Sequence, residues 1–160
     1  MPTDEAIERI WDLAKSIDIC MFVTWDGSRQ RARPLSARPI HEEGRIYFLV
    51  DENGAKDEQI ERFPIVTLAF ADTHGHDYVA ITGRATVSND RAKIAELWTG
   101  VDRSFWDSED DPAIRLITVE PGDAELWAGP NQVIAAAKLV AGALTGAKAD
   151  FGDNVKVDHI

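Results

Sequence analysis

Apolar and polar positions alternate along most of this chain with the two-residue period of strands, interrupted by short stretches with the longer period of helices. From Asp4 to about Lys15, Ile7, Ile10, Trp11 and Ala14 fall at i, i+3, i+4 and i+7, a single helical stripe that Thr3 or Asp4 can cap. Ile19-Cys20-Met21-Phe22-Val23-Thr24-Trp25 is β-branched and aromatic and stops at Asp26-Gly27, a hairpin signal. A basic strand then runs to about Arg38, and Pro39, which has no N–H to donate, brings the pairing to a break or an edge. Arg45 to Val50 predicts a third strand and Lys56 to Arg62 a short helix closed by Phe63-Pro64. Ile65 to Ala71 and Tyr78 to Ser88 predict two more strands. Asp90 to Trp98 predicts a helix capped by Ser88 or Asn89, with Ile94, Leu97 and Trp98 on one face. Ile114 to Val119 and Ala124 to Ala128 read as two final strands separated by Pro121-Gly122, and a terminal helix follows. The tail beyond about Thr145 is expected to be loosely ordered.

Antiparallel neighbours joined by short turns, with only three or four helices, fit a small β-barrel with peripheral helices better than a βαβ fold. The expected class is mainly β (α+β), one domain over residues 1–160. The longest apolar stretch near the end, Val133 to Leu144, is broken by Lys138 and Gly142 and is too short to span a bilayer. Thr3-Asp4-Glu5 is acidic and precedes no signal-peptide type of run. Cys20 is the only cysteine, so no intrachain disulfide is available and a reducing, cytoplasmic setting is expected. A net charge of -11 repels phosphates over most of the exterior, which argues against nucleic-acid or anionic-membrane partners.

Against that acidic background, Arg29, Arg31, Arg33 and Arg38 gather on one short segment. A cationic strand, then the apolar Tyr47-Phe48-Leu49-Val50 strand, then Lys56 is a way to hold a phosphorylated, partly apolar ligand. Arg offers a fork of donors, Lys a point charge and the neighbouring strand an apolar wall. Taken alone, alternating Arg on a half-exposed strand is more often a solvated face. Phosphate-binding G-x-G-x-x-G and G-x-x-x-x-G-K-[ST] motifs are absent, as is G-x-S-x-G. His74-Gly75-His76 is half a metal site at most, and Ser108-Glu109-Asp110-Asp111 reads most simply as a solvated loop. Of the five Trp, Trp11, Trp25 and Trp98 fit core positions, whereas Trp106 and Trp127 lie beside Gly, Asp and Pro, where a ring can line a pocket or interface.

The order ARPLSAR, YFLVD and a Lys five residues later resembles the pyridoxamine 5'-phosphate oxidase-like split barrels, and within them the flavin-binding general stress protein branch. The resemblance extends over nearly the whole chain, through Tyr78 to Gly83, Asp90-Arg91-Ala92-Lys93, Ala124-Glu125-Leu126-Trp127 and Gly152-Asp153-Asn154. It implies a six- or seven-stranded antiparallel split barrel that forms a homodimer with FMN where the subunits meet; the same basic strand would accept FAD. By position, Arg33, Pro34, Leu35 and Ser36 resemble the stretch that holds the ring edge, ribityl chain and phosphate. Phe48, Leu49 and Val50 fall where a strand meets the cofactor, Lys56 where a Lys meets the phosphate, and Tyr78 and Trp127 where the site is closed, often from the partner. Lys56 also opens a helix, where free N–H groups favour an anion.

Two departures set limits. Ala55 stands where true pyridoxamine phosphate oxidases carry an Arg before the phosphate Lys, and Ala-Gly-Pro-Asn-Gln follows Trp127 in place of an Arg- and His-bearing substrate motif. The resemblance therefore implies an FMN-dependent oxidoreductase of unknown substrate and no vitamin B6 oxidation. A non-enzymatic flavin-binding or flavin-buffering protein is the alternative, and a barrel without cofactor acting as an interaction module is a third. No residue presents itself as acid, base or nucleophile.

Overall fold

The computed structural model describes residues 1–53, 56–129, 132–146 and 152–160. Its elements in chain order are α1 (Thr3–Ile17), β1 (Ile19–Trp25), β2 (Gln30–Ser36), β3 (Arg38–Ile40), β4 (Arg45–Asp51), α2 (Lys56–Arg62), β5 (Ile65–Asp72) and β6 (Asp77–Ser88). After these come α3 (Arg91–Leu97), a 3-10 turn (Gly100–Ser104), β7 (Ile114–Ala128), α4 (Gln132–Thr145) and β8 (Asp153–Val157). The strands form one antiparallel sheet in the order β2-β1-β5-β6-β7-β4-β3, with β8 added on β7. The two ends of that path, β2 and β3, are consecutive in the chain and part only at Ala37. The sheet therefore curls until its edges face each other, and the result is a split barrel. The Ala37 N–H donates to the Asp18 carbonyl at 2.9 Å at the parting point.

Strand alternation sets the interior. Cys20 and Phe22 of β1, Ile46, Phe48 and Val50 of β4, Leu68 and Phe70 of β5, and Ile117 and Val119 of β7 point inward and are buried. Phe22 and Phe48 meet edge to face at 5.0 Å. Ile10, Trp11 and Ala14 of the predicted stripe close the same core, with Ile7 packed half-buried against it; Ala6 and Leu13, outside that stripe, are buried there too. A second cluster lies outside the barrel wall, where Tyr47 of β4 and Ile114 and Leu116 of β7 pack under Ile94 and Leu97 of α3. The nearly unbroken apolar run Ile46–Val50 is explained by this: β4 is covered on both faces.

Several expectations need correction. The basic strand does not run through to Arg38 but divides at Ala37, because its two halves belong to opposite edges of the split; Pro34 and Pro39 sit on those edge strands, where a missing N–H costs little. Pro121-Gly122 does not separate two strands. It is a register irregularity inside β7, opposite Ile81/Gly83, and a Cβ at Gly83 would lie 2.6 Å from the Glu120 carbonyl oxygen. The tail expected to be loose supplies β8, whose Val157 is buried, so the sheet has eight strands. Neither Thr3 nor Asp4 caps α1; extended Pro2 precedes it. Asp90, and not Ser88 or Asn89, caps α3, accepting from the Lys93 N–H at 3.0 Å.

Candidate functional site

β2, β3 and β4 converge beside the split, and the chain from Gly100 to Trp106 folds over them. Between them lies a hollow of about 610 Å³ lined by Pro34, Leu35, Ser36, Leu49, Val50 and Trp106, among others. Its volume is in the range of sites that enclose a small organic ligand. Five of the residues expected from the sequence thus share one space. Arg38 of the basic segment and Asp51 at the end of the apolar strand also line it, as do Asp18, Ile19, Val101, Asp102 and Phe105, which sequence reasoning did not single out. Those five come from the junction of α1 and β1 and from the 3-10 turn and its end, and nothing in local patterning brings those segments to β2 and β4.

The Gly100–Ser104 wall is pinned by a buried ion pair. Arg38 Nη2 donates to Asp102 at 2.5 Å and its Nη1 to the Leu97 carbonyl at 3.0 Å. The other Asp102 oxygen accepts from the Thr99 N–H at 2.8 Å, a capping box that starts the turn. Trp106 Nε1 donates to Asp51 at 3.4 Å, so one wall of the hollow is hung on β4. The Ser36 hydroxyl donates to Asp18, whose φ of 69° turns the chain from α1 into β1.

Arg33 lies one residue along β2 from this lining and faces the barrel interior opposite Phe22. Its Nη2 donates to Thr24 Oγ1 at 3.0 Å and to Gln59 Oε1 of α2 at 3.2 Å. Its Nη1 is buried and has no hydrogen-bond partner among the described residues. Burial, and then the nearby Arg31, pull this guanidinium below the usual arginine range. A partly desolvated cation with a donor left over among the described residues has the chemistry to take an anion. Lys56 opens α2, three residues before Gln59, and its side chain lies outside the described residues. Phe48 is elsewhere: fully buried against Phe22, it backs the β4 wall from inside.

Tyr78 and Trp127 are not in this hollow. They are cross-strand partners on β6 and β7. With His76, Leu139, Asp153 and Asn154 they line a second hollow of about 630 Å³. Both rings are more than a third exposed. They continue an apolar outer face made by Ile19, Met21, Trp25 and Ile65, with Ala69 and Ala80 flat between them. Within one chain, then, the predicted site is in two parts.

A curled antiparallel barrel split beside an apolar hollow, with a partly buried guanidinium one residue from its lining, defines a split-barrel fold. The family model described as pyridoxamine 5'-phosphate oxidase like matches residues 5–150, and the chain belongs to that family. General stress protein 26 of Bacillus subtilis (strain 168) is 27% identical over 90 residues, 54% of this chain and 64% of that protein's length. A crystal structure described as general stress protein 26 from Jannaschia sp. CCS1 superposes with a TM-score of 0.81 at 20% identity, covering 97% of this chain and 99% of that one. The general stress FMN/FAD binding protein from Xanthomonas citri superposes with a TM-score of 0.69 at 26% identity, covering 79% and 90%.

Proposed function

We propose that two copies of this chain bind FMN between them as one flavin-binding unit. In this reading Arg33 and Lys56 hold the phosphate. Pro34 to Ser36 and Phe48 to Val50 line the ribityl chain and ring, and Tyr78 and Trp127 close the site from the other copy. The observation that carries it is the buried Nη1 of Arg33, which has no hydrogen-bond partner among the described residues. Burying a guanidinium with an unused donor destabilises the apo fold, and a phosphate oxygen would satisfy it. The exposed apolar face running from Ile19 and Met21 to Tyr78 and Trp127 supports the dimer, since such a patch on a surface strand layer marks a protein interface. Bound flavin would supply two-electron chemistry. This chain's own residues would orient the ring against Leu49 and Trp106 and exclude water from it. Among the described residues no helix is long and apolar enough to cross a membrane. A cytoplasmic setting is part of the proposal and agrees with a buried, unbridged Cys20.

Within this reading the protein is an oxidoreductase of unknown substrate. A second reading, flavin binding without turnover, draws on the groups around the hollow. Arg38 is paired with Asp102 and Asp18 accepts from Ser36, so these charged groups hold the walls of the hollow in place. The visible spectrum of the purified protein, with mass analysis of what denaturation releases, tests the binding and separates FMN from FAD. A colourless protein that takes up neither flavin overturns it. Oxidation of NADPH or NADH by the yellow protein then separates turnover from storage.

A further inference from the structure

The charges around the two hollows are one-sided. Lining the first are Asp18, Asp51 and Asp102 with Arg38. Arg38 donates to Asp102 from one terminal nitrogen and to the Leu97 carbonyl from the other, so its charge is offset by Asp102 within a neutral pair. Asp18 accepts from a neutral hydroxyl, with no cation within ion-pair distance among the described residues, and lines the hollow with Leu35 and Ile19. The second hollow adds Asp153 next to Asn154 and Trp127. Among the described side chains that line either hollow, Arg38 is the one Lys or Arg. Asp18 and Asp153 are exposed, so water and salt screen part of their charge, and what remains acts on a ligand that comes within a few ångströms of them.

We infer that the space beside the flavin ring selects planar aromatic compounds that are neutral or cationic and rejects carboxylates, sulfonates and phosphate esters of the same size. This rests on the flavin reading, with the two hollows facing each other across the dimer. An anion entering there would meet Asp18 and Asp153, and the one guanidinium among the described lining residues, Arg38, is already paired with Asp102. A cation would gain what the anion loses, and Trp127, Tyr78 and Trp106 offer it ring faces.

Nicotinate, nicotinamide and 1-methylnicotinamide share one ring and differ in charge by single steps, so they isolate this effect. Each is titrated into the FMN-loaded protein at pH 8, and the change in the bound flavin's visible spectrum gives its dissociation constant. Nicotinate should bind at least about tenfold more weakly than nicotinamide, and 1-methylnicotinamide at least as tightly as nicotinamide. Raising sodium chloride to about 0.5 M should narrow the spread, because exposed carboxylates are screened over a few ångströms at that strength. Asp18→Asn with Asp153→Asn should bring nicotinate to within about threefold of nicotinamide; Asn keeps the hydrogen bonding of Asp18 and tolerates its positive φ. If those variants do not fold, the salt series on the unaltered protein decides. Nicotinate binding as tightly as nicotinamide, or none of the three perturbing a flavin that is firmly held, overturns this inference and leaves the flavin reading standing. Failure to hold FMN at all overturns both.

Discussion

At the scale of single residues, Arg33 carries a cost to the fold. A guanidinium that is partly desolvated, with one nitrogen unsatisfied, contributes less to stability than an apolar chain of similar length. Arg33→Met should therefore leave the apo protein's thermal midpoint unchanged or raise it, while weakening FMN at least about tenfold, as loss of a charge-assisted bond requires. Differential scanning fluorimetry alongside an FMN titration reads both quantities. Lys56→Ala should cost about 1.5–3 kcal/mol of FMN binding with little change in the fold; an unchanged dissociation constant would remove Lys56 from the site. Cys20 behaves in the opposite way. Burial pushes its thiol up to about 12, against a usual value near 8.5 in an unfolded chain. The folded state thus holds a proton that the unfolded state releases, so between about pH 8.5 and 12 this group's contribution to stability falls as pH rises. At pH 8 a thiol reagent such as dithionitrobenzoate should label Cys20 only after denaturant is added. Rapid labelling of the native protein would contradict its buried position.

Elements were set partly by local pattern and partly by what they pack against. β8 has little pattern of its own, two apolar residues in Asp153–Val157, yet it closes the β7 side of the sheet and sends Val157 into the core near α1. Val157→Ala should cost about 2 kcal/mol, measured by urea denaturation, from lost apolar burial and the hole left behind. An effect below about 0.5 kcal/mol, ordinary for a surface position, would mean that β8 does not add to the core. The opposite case is the basic segment after Arg29. Its local pattern reads as one strand, but closing a barrel places its halves on opposite edges. The break at Ala37 follows from closure and not from any breaker residue, since Ala is none.

For the whole molecule, sharing a ligand between copies couples assembly to binding. If FMN is held only by the dimer, it must stabilise the dimer by mass action. The dimer's thermal midpoint should rise with FMN concentration, and light scattering should report a dimer at micromolar protein. A monomer saturated with FMN would contradict this. The FMN-loaded protein should also fail to oxidise pyridoxamine phosphate. That substrate brings a second dianion into a site whose described lining offers only the engaged Arg38, and after Trp127 the next cationic residue in the chain is Lys138. Pyridoxal phosphate appearing at about one turnover per second, an ordinary enzyme rate, would refute it.

Sequence alone determined the strand content, the helical stripe of α1, the hairpin at Asp26-Gly27 and the edge at Pro39, because each is a matter of residues within one or two turns of chain. It also brought out the basic segment from Arg29 to Arg38 and the apolar Tyr47 to Val50 after it, since the first gathers positive charge in an acidic chain; Arg33 to Ser36 and Leu49-Val50 were picked from these by family resemblance. Only the tertiary structure decided which of these meet. It paired Tyr78 with Trp127 away from Leu49, sent Phe48 into the core, and brought Asp18, Arg38 and Trp106 to one hollow. It also made a single strand through Pro121-Gly122. The physical reason is the same throughout: alternation tells which face of a strand is apolar, but which neighbour covers that face depends on how the sheet curls and where its edges come to rest.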